Sequence, residues 1–248
     1  STLPEYKGVL SIKISNIRHW TDQTFSFECH RPDTFRFRSG EFVMIGLEGN
    51  GKPLLRAYSI ASPNWQETLE FYSIKVEDGP LTSKLQLLTE GDHIYMRPKP
   101  VGTLVHDALL PGKRLILFAT GTGIAPFGSI IRDPETYEKF SEVWVTHTCR
   151  TGLELAYTKD LLKKFQSNSL LKEMTDNKLK HIFTTTREKS ELMGRMTQLI
   201  DNGTFEHLTG NRLSLEMDRV MICGSLAMLE DHKKICESLG MEEGSNSK

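Results

Sequence analysis

The sequence has few cysteines, no long apolar run and no recognisable leader segment. Its four cysteines are isolated from one another, none forms a CxxC pair, and no His/Cys spacing indicates a metal site. Isolated cysteines in a chain of this length are typical of a reducing compartment. The longest apolar runs fall far short of the roughly 20 residues that span a bilayer. The first residues lack the basic and apolar segments of a signal peptide, so we expect a cytoplasmic protein.

Net charge is also nearly absent. The 248 residues include 31 lysines and arginines against 32 aspartates and glutamates, which gives a formal net charge of −1. A chain without excess positive charge has no general attraction to nucleic acid or to a membrane surface, so we expect neither partner. Any binding of anions must therefore come from local basic groups. The length suits two modest domains, each able to bury its own core.

The first part of the chain consists of short runs in which polar and apolar residues alternate. Turn-prone residues separate these runs, which is typical of an antiparallel barrel or sandwich. The runs cover residues 9–17, 24–29, 42–47, 69–74 and 93–96. Residues 80–88 interrupt them with a proline near the start and leucines at helical spacing, so we predict a short helix there.

The chain changes character near residue 105, after which apolar runs alternate with helical patterns. Runs at residues 115–119, 143–146, 181–185 and 220–223 predict strands, and residues 153–165 and 226–239 predict helices. This alternation predicts a doubly wound, mostly parallel sheet. We therefore place a β-barrel domain at residues 1–104 and an α/β domain at residues 105–248. Residues 244–247 have the composition of a mobile tail.

A glycine-rich turn follows the predicted strand at residues 115–119 and precedes a predicted helix with Pro126 in its first turn. Glycine lets a backbone approach a pyrophosphate closely, and a helix N-terminus adds N–H donors and partial positive charge. Pro126 replaces the third glycine of the usual dinucleotide fingerprint, so a plain strand-to-helix turn is the alternative. The predicted pyrophosphate-binding residues are Thr120, Gly121, Thr122 and Gly123.

A predicted strand at residues 55–62 carries groups that suit a ligand with a phosphate and an aromatic ring system. Alternation places Arg56, Tyr58 and Ile60 on one face, and Ala57 and Ser59 on the other. Arginine can clamp a phosphate with its fork of donors, and tyrosine offers a flat face to an aromatic ring system. The serine hydroxyl can hydrogen-bond a ring heteroatom. A half-exposed strand that happens to carry an arginine is the alternative.

The predicted helix at residues 80–88 opens with groups that suit a second anion site. A helix start leaves backbone N–H groups without internal partners, and these groups can bind an anion. Routine capping of the helix is the alternative reading of the same hydroxyl residues. The candidate residues are Gly79, Pro80, Leu81, Thr82 and Ser83.

Arginines follow two predicted strands of the second domain, Arg150 after one and Arg187 and Arg195 after the next. Ligands of doubly wound sheets bind at the carboxyl edge of the strands. An NAD site usually carries an acidic residue where this chain has Arg150, and arginine favours a 2′-phosphate, so the pattern predicts NADP(H). A solvated surface position is the alternative for each arginine alone. Cys223 and Gly224 follow the last predicted strand at the same edge, although a lone cysteine is usually a small buried hydrophobe.

In their order along the chain, residues 56–59, 79–83, 121–126 and 223–225, the motifs resemble the ferredoxin–NADP⁺ reductase family, most closely its bacterial ferredoxin/flavodoxin members, over essentially the whole chain. The resemblance implies a six-stranded antiparallel β-barrel that binds FAD, followed by a five-stranded parallel α/β domain that binds NADP(H). It implies hydride transfer between NADP(H) and flavin, coupled to one-electron exchange with ferredoxin or flavodoxin. We also expect a monomer.

The resemblance further implies roles for individual residues. Arg56 and the start of the helix at residues 80–88 would hold the FAD pyrophosphate, and the glycine turn would hold that of NADP(H). Arg187 and Arg195, with Arg150 assisting, would hold the 2′-phosphate. The predicted catalytic residues are Tyr58, which would stack on the isoalloxazine, Ser59, near flavin N5, and Cys223, where nicotinamide meets flavin. The remaining candidates for cofactor binding are Ala57, Tyr72, Ile74, Thr186 and Gly224.

Related members of the subclass continue past the equivalent of residues 244–247 to a short tail that covers the far face of the flavin, whereas this sequence ends at Lys248. Two alternative functions use parts of the same pattern. One is a flavin or quinone reductase, or an oxygenase reductase module, although the scattered cysteines exclude a built-in iron–sulfur cluster of the usual spacing. The other is a non-catalytic NADP(H)-sensing protein, which would not need the Tyr58 and Ser59 platform.

Overall fold

Six antiparallel strands make up the first part of the chain in a computed structural model that describes residues 2–244. They pair in the order β4-β3-β6-β1-β2-β5, and the sheet curls into a barrel. The predicted strands are confirmed here, with β4 extended towards its N-terminus. The strands are β1 (Leu10–His19), β2 (Thr24–His30), β3 (Phe42–Gly49), β4 (Lys52–Ser59), β5 (Thr68–Ile74) and β6 (His93–Met96).

The barrel is held by an aromatic core and has a seam between its two edge strands, β4 and β5. Phe25, Phe27 and Phe71 are buried inside it and contact one another in sequence, with ring centroids 5.9 and 5.4 Å apart. Across the seam, the hydroxyls of Tyr58 and Ser73 are hydrogen-bonded at 3.1 Å. The seam therefore leaves the edges of β4 and β5 facing outward.

Two local predictions in this domain differ from the structure in extent. The predicted helix at residues 80–88 is a single turn, α1 (Thr82–Leu85). The predicted strand at residues 55–62 ends at Ser59, because the chain crosses there from the β3 side of the barrel to β5. The Ile60 N–H donates to the Glu41 carbonyl at 3.1 Å, and the Ala61 N–H donates to the Glu70 carbonyl at 2.8 Å.

The second part of the chain is a doubly wound parallel sheet, as predicted. Its strands β7 (Arg114–Thr120), β8 (Glu142–Cys149), β9 (Leu179–Thr185) and β10 (Asp218–Cys223) pair in the order β10-β7-β8-β9. It has four strands within residues 2–244, not the expected five. The loop after β9 makes only an isolated bridge, and no strand follows α8 in the described chain. Residues 245–247 of the expected tail lie outside the described residues. The helices are α2 (Ala125–Ile130), α3 (Pro134–Lys139), α4 (Ala156–Ser167), α5 (Ser169–Thr175), α6 (Met196–Asp201), α7 (Thr204–Thr209) and α8 (Leu226–Ser238).

The strand order fixes where a ligand can bind. The chain proceeds from β7 to β8 and β9 on one side, then returns to place β10 on the other side of β7. Such a reversal opens a crevice at the carboxyl ends of the two strands where the order changes. The switch point lies between β7 and β10, where the glycine turn and Cys223 are found. No helix within residues 2–244 has the length and apolar character needed to cross a membrane.

Tyr157 on α4 joins the α/β domain to the barrel. Its ring stacks on Tyr72 of β5 with centroids 4.1 Å apart and an interplanar angle of 11°. Its hydroxyl donates to the Glu70 carboxylate at 2.5 Å, and Trp20 packs edge-on against the same ring. Burial and the neighbouring Glu70 raise the pKa of Tyr157 well above its usual value, so the phenol remains a donor.

Arg132, just after α2, makes the second connection. Its guanidinium donates to the Ala61 carbonyl at 2.6 Å and to the Gly128 carbonyl at 2.9 Å, so one buried side chain bridges the two domains. The Trp65 indole N–H donates back to the Arg132 carbonyl at 2.9 Å. Buried polar groups cost free energy unless they are paired, so these bonds specify one arrangement of the domains.

A buried ion pair anchors the amino end of the parallel sheet. Arg114 at the start of β7 donates from Nε to Asp218 Oδ1 at 2.6 Å and from Nη2 to Oδ2 at 2.9 Å. Neither side chain is exposed, and Nη1 also donates to the Thr209 hydroxyl at 3.0 Å. The pair connects β7, β10 and the end of α7.

We expect Asp218→Asn to lower the free energy of unfolding by about 3–5 kcal/mol, because it leaves a buried guanidinium without its counter-charge. Chemical denaturation followed by tryptophan fluorescence measures this loss. The matched control is Lys233→Gln, which breaks an exposed pair with Glu243 and should leave the free energy of unfolding nearly unchanged. Equal losses in the two variants would contradict the anchoring role of the buried pair.

Candidate functional site

A cleft of about 880 Å³ lies between the β4–β5 seam and the carboxyl edge of the parallel sheet. It brings together most of the residues that the sequence predicts. Those lining it are Arg56, Ala57, Tyr58, Ser59, Tyr72, Ile74, Thr82, Thr120, Gly121, Thr122, Gly123, Arg150, Thr186, Arg195, Cys223 and Gly224. Barrel residues and sheet-edge residues thus share one cavity.

The barrel side of the cleft is built on the exposed edge strand β4. Arg56 and Ala57 are exposed, Tyr58 and Ser59 are half-buried, and all four line the cleft. The sequence placed these residues alternately on two faces of the strand, yet all four line the cleft. The reason is that β4 is an edge strand, and its unpaired edge borders the cavity. Tyr58 is fixed by its hydrogen bond to Ser73, and burial raises the pKa of its phenol.

The predicted anion site at the start of α1 is only partly brought to the cleft. Thr82 lines it, whereas Gly79, Pro80, Leu81 and Ser83 do not. Leu81 is buried in the barrel core instead. The Ser83 N–H donates to the Gly79 carbonyl at 3.2 Å, so this donor is already used, contrary to the expectation of free N–H groups.

The two loops at the switch point interlock through glycines. A Cβ atom at Gly123 would lie 2.3 Å from the Cys223 carbonyl oxygen, and one at Gly224 would lie 2.1 Å from the Thr120 hydroxyl oxygen. Only glycine fits at position 123, where the contact is with backbone, whereas a Cβ atom at position 224 would displace the Thr120 side chain. Gly121 has a φ of +53°, a left-handed conformation that favours glycine. The glycine turn, residues 120–123, therefore needs its glycines to lie this close to the end of β10.

The arginines occupy the adjacent strand ends. Arg150 follows β8 and Arg195 precedes α6, and both line the cleft together with Thr186. Arg187 is exposed and lies outside the residues that line the cleft, so its predicted contact with a 2′-phosphate stays a prediction. Its N–H donates to the Arg150 carbonyl at 2.9 Å, which ties the loop after β9 to the loop after β8.

The two cysteines in the cleft are not activated. Burial raises the pKa of Cys149 to about 12 and that of Cys223 to about 11, so both thiols stay protonated near neutral pH. A thiolate is the nucleophilic form of cysteine. Cys223 therefore offers the cleft a compact, neutral surface beside Gly224, and the role predicted for it where two cofactors meet stays a prediction.

Several lining residues were missed by the sequence reading. They are Gln23, Thr24, Ser73, Phe118, Thr146, Thr148, Cys149, Glu154, Met196, Thr197, Ser225, Met228, Asp231 and His232. Thr146 and Thr148 alternate along β8 up to its end at Cys149, and this alternation would have identified them. Within the described chain, Thr146 Oγ1 and His232 Nε2 are buried without a hydrogen-bond partner. Buried polar atoms are rarely left unpaired, so these two atoms fit a cleft that receives a polar ligand or water.

Comparison with known proteins decides the family. Residues 12–106 match the oxidoreductase FAD-binding domain, and residues 117–234 match the oxidoreductase NAD-binding domain. A flavodoxin/ferredoxin–NADP reductase of Rhodobacter capsulatus is 58% identical over 236 residues, which cover 94% of this chain and 87% of that protein. The chain belongs to the ferredoxin/flavodoxin–NADP reductase family.

Other members agree with this assignment. A ferredoxin–NADP reductase of Pseudomonas aeruginosa is 48% identical, covering 93% of this chain and 90% of that protein. A ferredoxin NADP⁺ reductase of Neisseria gonorrhoeae, solved with bound FAD and NADP, has a TM-score of 0.87 at 27% identity, covering 97% and 95% of the two chains. The ferredoxin reductase of a carbazole dioxygenase has a TM-score of 0.71 at 19% identity, with coverage of 94% and 66%, and shows the shared fold alone.

Beneath the glycine turn of this family member lies His147, which is fully buried on β8. Its Nε2 is 2.8 Å from the Gly121 carbonyl oxygen, and its Nδ1 is 2.8 Å from the Thr158 hydroxyl oxygen. A carbonyl oxygen only accepts, so Nε2 carries the proton and Nδ1 accepts from Thr158. Burial lowers the pKa of His147 to about 4, so the ring is neutral at physiological pH.

The low pKa of His147 predicts a loss of stability in acid. In the unfolded chain this group takes up a proton near its usual value of 6.5, whereas in the folded protein it does so only near 4. The contribution of His147 to the free energy of unfolding is complete above pH 6.5. It is lost as the pH falls towards 4, and the loss totals about 3 kcal/mol.

We expect the free energy of unfolding to fall more steeply between pH 6.5 and 4 in the wild type than in His147→Gln, because glutamine does not titrate. Denaturation curves at half-unit steps of pH measure the difference, and all other titrating groups are common to both proteins. Parallel curves would show that His147 has an ordinary pKa in the folded state.

Proposed function

We propose that this protein is an FAD-dependent ferredoxin/flavodoxin–NADP⁺ oxidoreductase. The observation that carries the proposal is the shared cleft, in which the β4–β5 seam faces the switch point between β7 and β10. FAD, when bound, exchanges a hydride with NADP(H) and single electrons with a protein partner. The chain's own residues bind, align and shield the two cofactors.

On the barrel side, the residues of β4 suit FAD. The exposed guanidinium of Arg56 suits the pyrophosphate, and the ring of Tyr58, fixed by Ser73, suits stacking on the flavin. The Ser59 hydroxyl is the candidate partner of a flavin ring nitrogen. One face of Tyr72 is taken by Tyr157, so Tyr72 and its neighbour Ile74 contact a ligand through their remaining exposed atoms.

On the sheet side, the glycine turn suits the pyrophosphate of NADP(H), because glycines let a phosphate approach the backbone. Arg150 and Thr186 directly follow β8 and β9, and Arg195 precedes α6, so the cleft has cationic donors for a 2′-phosphate at this edge. The nearby carboxylate of Glu154 accepts from the Arg150 N–H at 2.9 Å, so it is used within the loop. These contacts support NADP(H) over NAD(H).

The thiols of the cleft and the imidazole beneath the glycine turn are not set up as nucleophiles or as a base. The thiols of Cys149 and Cys223 are protonated, and His147 is neutral and sealed beneath the glycine turn. Hydride transfer needs alignment of two rings and exclusion of water, which rigid positioning supplies. The division of the chain into residues 1–104 for FAD and 105–248 for NADP(H) is part of the same proposal.

The proposed electron partner is a ferredoxin or flavodoxin, as the names of the related proteins state for those proteins. The exposed Arg97 and Lys99 on the barrel are candidates for contact with an acidic redox protein. We propose that the protein acts as a monomer.

The test of the proposal is an anaerobic visible spectrum recorded before and after addition of NADPH or, separately, NADH. A flavin spectrum that NADPH bleaches quickly and NADH slowly is the expected result. A colourless protein that takes up no FAD would overturn the enzyme proposal in favour of a nucleotide-binding module. Equal bleaching by both nucleotides would remove the case for a 2′-phosphate site.

We expect Arg195→Ala to raise the KM for NADPH roughly 10- to 100-fold, the loss expected for charge-assisted hydrogen bonds, and the KM for NADH about twofold at most. Arg187→Ala tests the sequence prediction in the same assay and should act in the same direction. The matched control is Lys189→Ala, which removes an exposed charge from the same loop. Equal effects of Arg195→Ala and Lys189→Ala would show that only general charge matters.

We expect Tyr58→Ala to lose FAD on gel filtration, because the stacking surface is removed, while Tyr58→Phe retains it. Flavin absorbance per mole of protein is the measurement. Phenylalanine lacks only the hydroxyl that contacts Ser73, so the pair separates stacking from the hydrogen bond. Full flavin occupancy in the alanine variant would count against the stacking role.

A further inference from the structure

The Gly121 carbonyl accepts a hydrogen bond from a buried side chain. His147 Nε2–H donates to it at 2.8 Å. Beyond its own chain neighbours, a Cβ atom at Gly121 would find no described atom within 4 Å, so this side of the residue faces open space. Glycine adopts the left-handed φ of +53° without steric cost, so the hydrogen bond from His147 directs the carbonyl of an otherwise permissive residue.

The histidine is itself fixed from the other side. The Thr158 hydroxyl on α4 donates to Nδ1 at 2.8 Å, and both side chains have no exposed surface. His147 pairs with Ala119 in the β7–β8 register, one residue before the glycine turn begins. A chain of two hydrogen bonds thus runs from α4 through β8 to the turn after β7.

The geometry of the peptide bond transmits the effect of these two hydrogen bonds to the cleft. The Gly121 carbonyl and the Thr122 N–H belong to one planar trans peptide and point in opposite directions. A carbonyl directed inward at His147 therefore directs the Thr122 N–H away from the buried ring, and Thr122 lines the cleft. A neutral imidazole adds no charge to the ligand, so its influence is on the orientation of this peptide.

We propose that His147, held by Thr158, is a positioning residue that aims the backbone donor of the glycine turn at the pyrophosphate of NADP(H). The inference rests on the proposed function, because it concerns the same nucleotide site. Cys149 Sγ lies 3.3 Å from Nε2 as a second neighbour of the ring. The Gly121 oxygen has no proton to give, so it sets the tautomer of the ring, while the Cys149 thiol is also hydrogen-bonded to the Gly121 backbone.

Two amide substitutions separate the two ring nitrogens. In His147→Gln the amide nitrogen takes the place of Nε2 and retains a donor for Gly121. In His147→Asn the shorter amide reaches only the place of Nδ1, so it retains a partner for Thr158 and leaves the carbonyl without its donor. NADP⁺ is titrated into the oxidised FAD-loaded protein, and binding is followed by the flavin difference spectrum.

We expect His147→Asn to raise the Kd for NADP⁺ and the KM for NADPH about five- to tenfold, the loss of one hydrogen bond, with kcat nearly unchanged. His147→Gln should restore most of the binding. FAD content and Tm should be similar in the two variants, which a general packing defect would not produce. Thr158→Val is a second variant that retains the ring, and Thr175→Val, a buried threonine on α5, is its matched control.

Wild-type-like binding of NADP⁺ by His147→Asn would overturn the inference, as would equal weakening in the Gln and Asn variants. If His147→Asn does not fold, weaker binding in Thr158→Val than in Thr175→Val supports the inference and equal binding overturns it. Failure of the wild-type FAD-loaded protein to bind NADP⁺ would overturn the proposed function as well. A binding wild type with an unaffected His147→Asn would overturn the positioning role alone.

Discussion

The contact between the two domains is the constraint on which the site depends. Arg132 reaches out of the α/β domain to the Ala61 carbonyl, and Tyr157 stacks on Tyr72 while donating to Glu70. All these groups are buried and polar or aromatic, so a shifted interface would leave donors unpaired and a ring without its partner. The domains therefore pack in one arrangement, in which the barrel seam faces the switch point of the sheet. Neither domain forms the complete cleft alone, so the site depends on this one arrangement of the domains.

Each domain exposes backbone groups that a regular barrel or sheet would pair. The barrel leaves the edge of β4 unpaired at its seam, and the sheet reverses its strand order between β7 and β10. The loops at the reversal approach so closely that Gly123 cannot carry a Cβ atom, and one at Gly224 would displace the Thr120 side chain. Exposed strand edges and bare peptides suit ligands made of phosphates and flat rings, which need donors and surfaces more than they need acids or bases.

The sequence predicted the two domains, the element order and much of the cleft, because alternation, glycine turns and strand-end arginines are local signals. It failed where distant segments decide the outcome. The leucine spacing at residues 80–88 predicted a short helix, but only Thr82–Leu85 is helical, because Leu81 and Leu85 need no more than one turn to face the barrel core. Tyr157 and Arg132 could not be assigned, because their partners lie 87 and 71 residues away along the chain.

The pair formed by His147 and Cys149 shows why proximity alone does not define chemistry. The sulfur lies 3.3 Å from Nε2, the arrangement that activates a thiol when the imidazole takes its proton. Here burial raises the pKa of the thiol to about 12 and lowers that of the imidazole to about 4, so the ion pair is disfavoured from both sides. The imidazole proton is instead shared with the Gly121 carbonyl. The same residue pair that would make a nucleophile at a solvated site acts here, through its histidine, as a support for the nucleotide-binding turn.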